Sequence, residues 1–443
     1  MARLSFVAVG DCIVTRRCRQ RKEEAFTGMV DLIRGADVAF SNFELVTPQS
    51  PVVPSSENGM PNLMASEWVI DELAWMGFNL FNVANNHSGD YMYTGFVDTL
   101  AAFERRGLAY AGGGLNLGEA RSPGYLETAA GRAALIGAAT NFSTGSHAAP
   151  VRQDMPGRPG LSPLRIDRDF VVDAQAMEAL ERIDRLLGVA AVKERRRKAG
   201  ILRDQKPGAL QFLGLDFYPG EGFAYRQHPS AKDMDDICRW IGDAKRQSDF
   251  VVMSLHCHNG INGDGNNFEM AEFLPDVAHR FIDAGADAFV GHGPHLLRPI
   301  EVYKGKPVFY SLGNFVFQLE GVRRYPSEMY ERFGLAPEHT PADFSDVRER
   351  DKDGNLIAFP AGDQFYQTVL PVCEFEGATL AEMDLHPVTL SRTAPRGRRG
   401  DPELAGQTEG RAILEFVRDV SAPFAVRVEI ATCGDRVVGK CSW

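Results

Sequence analysis

Residues 288–317, AFVGHGPHLLRPIEVYKGKPVFYSLGNFVF, carry the sequence pattern that is most informative about the fold class. It opens with an apolar run typical of a buried strand, and His292 and His295 follow that run directly. Further along, IEVY and VFYSL flank KGKP, a turn signal that predicts a β-hairpin. A histidine after an apolar run is more often a structural residue than a metal ligand. The rest of the chain therefore has to decide whether these two histidines bind a metal.

Strand-like and helix-like segments alternate through the first third of the chain and resume near residue 230. LSFVAVG, DVAFSNFE and NLFNVANNH have the apolar character of strands, whereas EEAFTGMVDLIRGA and SEWVIDELAWMGF have helical spacing. The later part continues with DMDDICRWIGDAKRQ, DFVVMSLHCH, FEMAEFLPDVAHRFIDAG and ADAFVGHGPH, again helix and strand in turn. This alternation predicts an α/β fold in which helices cover a sheet.

The length of 443 residues permits either one large elaborated domain or two smaller ones. The α/β rhythm is lost over residues 142–227, where a Pro/Gly-rich opening precedes a long charged helical stretch, and we interpret this segment as an insertion or cap. A second irregular insertion, rich in proline and charge, covers residues 318–363. Residues 364–443 supply strands and one helix that complete the domain, and SRTAPRGRRGDPELAG between them has the composition of a disordered loop.

Composition and charge exclude several classes of function. The balance of 48 basic against 59 acidic residues, with pI ≈ 5.5, offers no general attraction for phosphate backbones, so we expect no nucleic-acid partner. No apolar stretch approaches the roughly 20 residues of a membrane helix, and the N-terminus lacks the features of a signal peptide. The 7 cysteines form an odd set without CxxC spacing, which fits a reduced compartment. We therefore expect a cytoplasmic protein without a membrane anchor, and its oligomeric state stays open.

Polar side chains cluster at the ends of five predicted strands, where the loops of an α/β fold converge on one crevice. These positions are Asp11; Asn42 and Glu44; Asn85, Asn86, His87 and Asp90; His256 and His258; and His292 and His295. They include half of the 10 histidines of the chain. Imidazole, carboxylate and amide groups together suit divalent ions such as Zn, Mn and Fe. The five strand ends together therefore predict a metal site, which one of them alone would not.

Other site types fit the sequence less well. The chain has no G-x-S-x-G nucleophile elbow, and Cys257 is a candidate nucleophile only through the histidines on either side of it. The segment GDRVVGKC has P-loop spacing but lacks the Ser or Thr that holds Mg²⁺. The glycines of GGGLNLG favour a tight turn over a dinucleotide loop, because no acidic residue on a following strand supports that loop.

Five motifs of this sequence resemble, in order and spacing, those of the CapA-type poly-gamma-glutamate capsule biosynthesis family, itself similar to the calcineurin-like metallophosphoesterases. They are VAVGDCIV, SNFELVTP, NVANNHSGDY, YAGGGLNLGEARSP and VGHGPHLLRPIEVYKGKPVFYSLGNFVF, and the match covers about residues 4–141 and 249–317. The resemblance implies one elaborated domain over residues 1–443, a calcineurin-like four-layer sandwich of two mixed sheets flanked by helices. It also implies a metal centre at the strand ends.

The resemblance assigns roles to the clustered residues. The implied ligands of one or two divalent ions (Mn, Zn or Fe) are Asp11, Glu44, Asn86, His256, His292 and His295. His87 resembles the general acid of the metallophosphoesterase Asn-His motif, with Asp90 orienting it. The implied substrate contacts are Asn42, Asn85, His258 and Asn314.

Two departures from the family pattern affect the metal centre. Metallophosphoesterases carry Asp-x-His at the first motif, and here Ile13 stands at the histidine position, which removes one ligand. The usual His-Trp-Gly-x-Glu-Tyr is replaced by HCHNGINGDG, which adds His258. One metal or a weaker pair is compatible with the first change, and His258 is either a new ligand or a substrate contact.

The function implied by the resemblance is a metal-dependent hydrolase. Metal-activated water would attack an amide, such as a gamma-glutamyl peptide bond, or a phosphoester. The substrate would be an anionic small molecule or peptide. Two alternatives stay open: a transferase or amide-forming biosynthetic enzyme, and a non-catalytic polyanion-binding assembly component.

Overall fold

The computed structural model of the protein describes residues 3–56, 61–202, 206–357 and 360–443. Residues 203–205 of the first predicted insertion and 358–359 of the second lie outside the described residues. The strands are β1 Arg3–Ile13, β2 Val38–Phe43, β3 Leu80–Asn82, β4 Ala109–Ala111, β5 Gly113–Gly114, β6 Gly124–Thr128, β7 Gly131–Ala139, β8 Gly160–Leu161, β9 Ile166–Val172, β10 Leu210–Phe212, β11 Leu215–Pro219, β12 Ala224–Pro229, β13 Phe250–His256, β14 Ala288–His292, β15 Ile300–Tyr303, β16 Lys306–Phe309, β17 Asn314–Phe317, β18 Gln367–Glu376, β19 Thr379–Thr389, β20 Glu403–Leu404, β21 Arg427–Cys433 and β22 Arg436–Ser442. The helices are α1 Glu24–Arg34, α2 Trp68–Met76, α3 Met92–Arg106, α4 Leu117–Arg121, α5 Ala174–Leu186, α6 Val189–Lys198, α7 Ala231–Gln247, α8 Leu274–Asp283, α9 Ser327–Arg332, α10 Pro341–Glu349 and α11 Gln407–Ser421.

Two large mixed sheets form the body of the molecule. The ten-stranded sheet has the order β21-β22-β19-β18-β1-β2-β3-β4, with β17 beside the end of β1 and β20 beside β19. In it β1, β2, β3 and β4 run parallel, and β18 pairs antiparallel with β1. The six-stranded sheet has the order β15-β16-β14-β13-β7-β6, and its four central strands run parallel. Each sheet therefore has a parallel centre whose carboxyl ends share one edge.

Alternation of buried side chains along the strands fixes how these sheets stack. In β1, Phe6 belongs to the apolar core between the two sheets, whereas Val7 belongs to the core beneath α1, α2 and α3. In β13, Val252 faces the first of these cores, and Met253 packs with residues of α7 and α8. Both faces of each central strand are thus buried, as expected of parallel strands covered on two sides. The layers are helix, sheet, sheet and helix, which confirms the predicted four-layer α/β sandwich.

The predicted hairpin is also confirmed, because β15 and β16 pair antiparallel with Tyr303 opposite Lys306. Both residues of its two-residue turn, Lys304 and Gly305, have positive φ, at 51° and 74°. This conformation matches the twist of the flanking strands. The chain then returns through β17, whose Asn314 pairs with Asp11 of β1.

The first predicted insertion divides into two parts. Residues 166–229 carry their own four-stranded sheet, in the order β10-β11-β9-β12. Its charged helical stretch is two helices rather than one, because Gly188 at φ 72° separates α5 from α6. Residues 142–165 instead join the main body, where Leu161 and Leu164 are fully buried.

The segment SRTAPRGRRGDPELAG, expected to be a disordered loop, is packed and ordered by ion pairs. Arg399 is 2% exposed and donates to carboxylate oxygens of Glu349 at 2.9 Å and Glu320 at 3.1 Å. Asp401 receives a hydrogen bond from Gln318 at 2.7 Å. The expectation was wrong because the partners lie in residues 318–363, far along the chain.

The last strands extend the ten-stranded sheet. Residues of β18 pair with Arg3 to Val7 of β1, and β19, β21 and β22 add to that side while α11 packs on them. Among the helices of the described residues, none combines the length and the apolar character that crossing a bilayer requires.

Candidate metal centre

The carboxyl ends of the central strands of both sheets meet in one place. Asp11 of β1 is in register with Asn42 of β2, and His256 of β13 is in register with His292 of β14. Neighbouring backbones come very close here, since a Cβ on Gly10 would lie 1.9 Å from the carbonyl oxygen of Gly313. A register shift in β1 beside Asp11 turns the strand at this point, as β-bulges do. The parallel topology therefore gathers residues that are far apart in sequence.

Asp11, His256 and His292 form the first candidate ligand group, in which one ligand atom from each lies within 4.8 Å of the others. Oδ1 of Asp11 is 3.7 Å from Nδ1 of His256 and 3.6 Å from Nδ1 of His292. The two Nδ1 atoms are 2.9 Å apart. All three side chains are fully buried. The donor atoms thus converge on one point inside the protein.

Glu44, His258 and His295 form the second group, under the same 4.8 Å criterion. Oε1 of Glu44 lies 3.9 Å from Nε2 of His295, 3.9 Å from Nε2 of His87 and 4.0 Å from Nε2 of His256. Within the described residues, neither carboxylate oxygen of Glu44 has a hydrogen-bond partner, although the side chain is fully buried. Burial, together with the charge of Asp11, raises the pKa of the Glu44 carboxyl well above its ordinary value.

The donor set fits a divalent cation. A buried carboxylate without a partner is costly, and the nitrogens around Glu44 stand too far away for direct hydrogen bonds. An ion between these atoms would satisfy the carboxylate and the imidazoles together. Mixed imidazole and carboxylate donors suit Zn, Mn and Fe.

Asp11 is held as a charged ligand by its neighbours. Burial alone would raise the pKa of its carboxyl, but His295, whose Nδ1 lies 3.3 Å from Oδ2, holds that pKa well below its usual range. The Nδ2 group of Asn42 donates to Oδ1 at 2.8 Å, and the Gly293 N–H donates to Oδ2 at 3.1 Å. These donors fix the direction in which the carboxylate points.

Two histidines of the first group are kept neutral, the form that binds metals. Burial lowers the pKa of His256 well below its ordinary value and lowers the pKa of His292 to about 4. Oγ of Ser254 lies 2.7 Å from Nε2 of His292, which leaves Nδ1 facing Asp11. Sequence reasoning missed Ser254, although its position two residues before His256 puts it on the same face of β13.

His87 and Asp90 form a buried pair at the rim of the second group. Nδ1 of His87 is 2.7 Å from Oδ2 of Asp90. The same carboxylate oxygen accepts the N–H of Leu63, and the backbone carbonyl of Asp90 accepts from Nδ2 of Asn62 at 2.6 Å. The loop that carries His87 is therefore fixed on both sides.

The three asparagines of the second and third strand ends differ in position. Oδ1 of Asn86 lies 2.8 Å from Nε2 of His256, beside the ligand atoms. Asn42 and Asn85, expected at the substrate, lie beneath the ligands and are at most 1% exposed. Oδ1 of Asn42 accepts from Nδ2 of Asn82, and Nδ2 of Asn85 donates to the carbonyl of Phe43, both at 2.8 Å. Their polar atoms are engaged with protein, so their contacts are those of supporting residues.

Asn314 also supports a ligand. Its Oδ1 lies 2.9 Å from Nδ1 of His295, and its Nδ2 donates to the His295 carbonyl at 3.2 Å. His295 has φ 62°, a left-handed conformation that is uncommon for a non-glycine residue. Such strain persists only where the surroundings enforce it, and it is frequent at functional sites. The hydrogen bonds to Asn314 supply that enforcement.

His258 lies at the open side of the cluster. Its backbone N–H donates to Oδ1 of Asn141 at 2.9 Å, and its Nδ1 is 3.1 Å from Oδ1 of Asn266. Its Nε2 is 3.2 Å from Nε2 of His256. Burial, followed by the charge of His295, lowers the pKa of His258 to about 3.

Cys257, between these histidines, has the properties of a core residue. Its side chain is buried, and burial raises the pKa of the thiol above its ordinary value. A nucleophilic cysteine needs the opposite shift, because the thiolate is the reactive form. The structure thus disfavours the cysteine nucleophile.

A cavity of about 440 Å³ is lined by segments that follow β1, which carries Asp11, and β17, which carries the supporting Asn314. Thr15 follows β1, and Arg323 and Arg324 follow β17. Both arginines are exposed, and neither forms an ion pair with an acidic side chain in the described part of the chain. The charge of Arg324 reaches Tyr91, next to Asp90. This cavity therefore offers two free cations near the His87 loop.

Comparison with known proteins places these residues in a family context. The family model described as bacterial capsule synthesis protein PGA_cap matches residues 5–319, a range that contains both ligand groups. The chain is 34% identical over 435 residues to the uncharacterized protein y4sH of Sinorhizobium fredii, covering 96% of this chain and 91% of that protein. It is 26% identical over 382 residues to the PGA biosynthesis protein CapA of Bacillus subtilis, covering 80% and 79%. It is also 26% identical over 249 residues to a probable polyglutamine synthesis accessory protein of Mycobacterium tuberculosis, covering 55% and 47%.

Proposed function

The chain belongs to the bacterial capsule synthesis protein family PGA_cap, and on this basis we propose that it is a metal-dependent hydrolase. Its substrate would be an anionic small molecule or peptide, cleaved at an amide such as a gamma-glutamyl bond or at a phosphoester. The observation that carries the proposal is the fully buried Glu44 carboxylate, which has no hydrogen-bond partner among the described residues and three imidazole nitrogens about it.

We assign one divalent ion to each ligand group. Asp11, His256 and His292 would hold the first, and Glu44 and His295 of the second group, together with the nearby Asn86, would hold the second. When bound, such ions polarise a carbonyl or phosphoryl oxygen and lower the pKa of a water molecule. Asn42, Ser254 and Asn314 keep the ligand side chains in place through the hydrogen bonds described above.

His87 is the proposed general acid. Because the Asp90 carboxylate only accepts hydrogen bonds, Nδ1 of His87 carries the hydrogen in their 2.7 Å contact. Nε2 is then free to hold a second proton and deliver it to the leaving group. General acid catalysis of this kind contributes about 10²–10⁴-fold to rate.

Arg323 and Arg324 support an anionic substrate. Guanidinium groups bind carboxylates and phosphates through paired hydrogen bonds, and these two have no competing acidic partner in the described ranges. We assign them to the part of the substrate that extends away from the reacting bond.

Two observations favour other functions for the same site. The relative in Bacillus subtilis is named for PGA biosynthesis, which favours an amide-forming enzyme or transferase in which an amine takes the place of water. Ile13, at the position of the family's ligand histidine, is 1% exposed in the apolar core, which favours a non-catalytic polyanion-binding assembly component.

One experiment separates these functions. Metal-free protein is reloaded with Mn, Zn or Fe and assayed with phenyl phosphates, gamma-glutamyl anilides and gamma-glutamyl peptides, with and without an added amine. A hydrolase releases product without the amine, and a transferase requires it. Polyanion binding without any turnover would contradict the hydrolase.

A further inference from the structure

We propose that His258 is a metal ligand and binds the second ion together with Glu44 and His295. This inference rests on the proposed metal centre, and it moves His258 from the substrate to the metal. His258 follows β13 of the six-stranded sheet by two residues, and its ligand nitrogen lies with those of Glu44 and His295.

The orientation of the His258 ring is fixed with Nε2 toward the cluster. Oδ1 of Asn266 accepts a hydrogen bond, so Nδ1 of His258 carries the hydrogen across their 3.1 Å contact. Nε2 then has a free lone pair. Metal-bound histidines characteristically use one nitrogen for the ion and donate the other N–H to an oxygen acceptor.

The ligand nitrogen of His258 lies with the donor atoms of the second group, within 4.8 Å of a ligand atom of Glu44 and of His295. Its Nε2 is also 3.2 Å from Nε2 of His256, the ring nitrogen that lies 4.0 Å from Oε1 of Glu44. The His258 ring meets the rings of His256 and His295 at steep angles of 64° and 75°, with centroids 5.0 and 5.4 Å away. The rings therefore converge without stacking, as imidazoles around an ion do.

The loop that carries His258 is held from beneath by a buried cation. Arg298, from the stretch GHGPHLLRP, is fully buried and donates to the carbonyl oxygens of Asn259 and Asn267, each at 3.1 Å. Gln227 of the inserted sheet donates to the Gly260 carbonyl at 3.0 Å. These bonds hold both sides of the loop, so His258 and its partner Asn266 keep their positions before an ion arrives, which favours tight binding.

The first test is Co²⁺ titration of wild type, His258→Ala and the control His339→Ala, followed by absorbance and calorimetry. His339 is an exposed histidine outside the site. We expect His258→Ala to bind one ion at least about 10-fold more weakly and the control to match wild type, with a smaller loss for Asn266→Ala. A His258→Ala titration identical to wild type would overturn the inference. If wild type itself binds no Co²⁺, the proposed metal centre fails as well, which separates the two failures.

A second test needs no variant. Histidines of the wild-type chain are modified with diethyl pyrocarbonate, with and without Co²⁺, and each site is quantified by mass spectrometry. Loading should protect His258 and leave His339 unchanged. Equal modification of His258 in both states would contradict its role as a ligand.

Discussion

Nδ1 of His87 lies 2.7 Å from Oδ2 of Asp90, and both side chains are buried beside the Glu44 carboxylate. This contact leaves Nε2 of His87, 3.9 Å from Oε1 of Glu44, as the nitrogen that faces the proposed metal centre. The geometry thus separates the proposed proton donor from the proposed metal ligands.

Loss of His87 should depend on the leaving group. We expect His87→Ala to lower kcat by about 10²–10⁴-fold for substrates with poorly stabilised leaving groups. The loss should be small for nitrophenyl leaving groups, which depart without protonation. To check this dependence on the leaving group, kcat is measured for wild type, His87→Ala and the control His339→Ala on a series of substituted phenyl esters. An equal loss across the series would assign His87 a structural role.

Glu44 should give the metal-free protein a distinctive pH dependence. Its raised pKa means that the folded state binds this proton more tightly than the unfolded state, so the contribution of Glu44 to stability falls as pH rises above its ordinary pKa of 4.5. We expect Glu44→Gln to stabilise the metal-free protein increasingly over wild type as pH rises. Urea unfolding across pH measures this difference.

Added metal should reverse this loss of stability at higher pH in wild type but not in Glu44→Gln. Since an ion must displace the Glu44 proton, metal affinity should rise with pH, and Glu44→Gln should flatten that rise. Stability that runs parallel in the two proteins at every pH would show that Glu44 neither takes up a proton on folding nor loses one on metal loading.

Arg324 should affect substrate binding more than chemistry. Removal of a cation that contacts a remote anionic group raises KM and leaves kcat nearly unchanged. We expect Arg324→Ala to raise KM several-fold for substrates with an extra carboxylate and to leave KM for neutral anilides unchanged. Arg332→Ala, on α9 of the same insertion, is the control. A fall in kcat without a change in KM would contradict the assignment.

Asp233 should be a stability residue without a role in metal binding. It is fully buried at the start of α7, and its carboxylate accepts hydrogen bonds from Arg121 at 2.5 Å and Arg165 at 2.6 Å. Burial would raise its pKa, but the two arginines hold it below the ordinary 3.8, so its stabilising contribution is present above that pH and is lost as pH falls further. We expect Asp233→Asn to lower the free energy of unfolding by about 3 kcal/mol. Chemical denaturation at neutral pH checks this, with the exposed Asp435→Asn as the control.

The fold was predictable because the hydrophobic pattern of each segment agrees with its burial in the folded protein. Apolar runs such as the one around Phe6 and Val7 are buried on both faces, and the amphipathic segments cover them. Polar residues at strand ends then had to converge, since parallel strands share one carboxyl edge. Asp11 and His292 therefore could be placed together although the sequence separates them widely.

Contacts between distant segments were not predictable. The composition around Arg399 is typical of a flexible loop, and only the fold brings Glu320 and Glu349 to it. The resemblance placed Asn42 among the substrate contacts, but only the fold reveals that its Nδ2 donates to Asp11. The role of His258 likewise depends on Asn266, whose position after the turn no local pattern reveals.

The most direct test of the metal centre is anomalous diffraction from crystals of the protein loaded with Mn, Zn or Fe, collected above and below the absorption edge. We expect a peak about 2.0–2.3 Å from a carboxylate oxygen of Glu44 and from Nε2 of His295. A second peak is expected at Asp11, His256 and His292. Loaded crystals without a peak between these residues, and with the Glu44 carboxylate bonded only to protein or water, would contradict it.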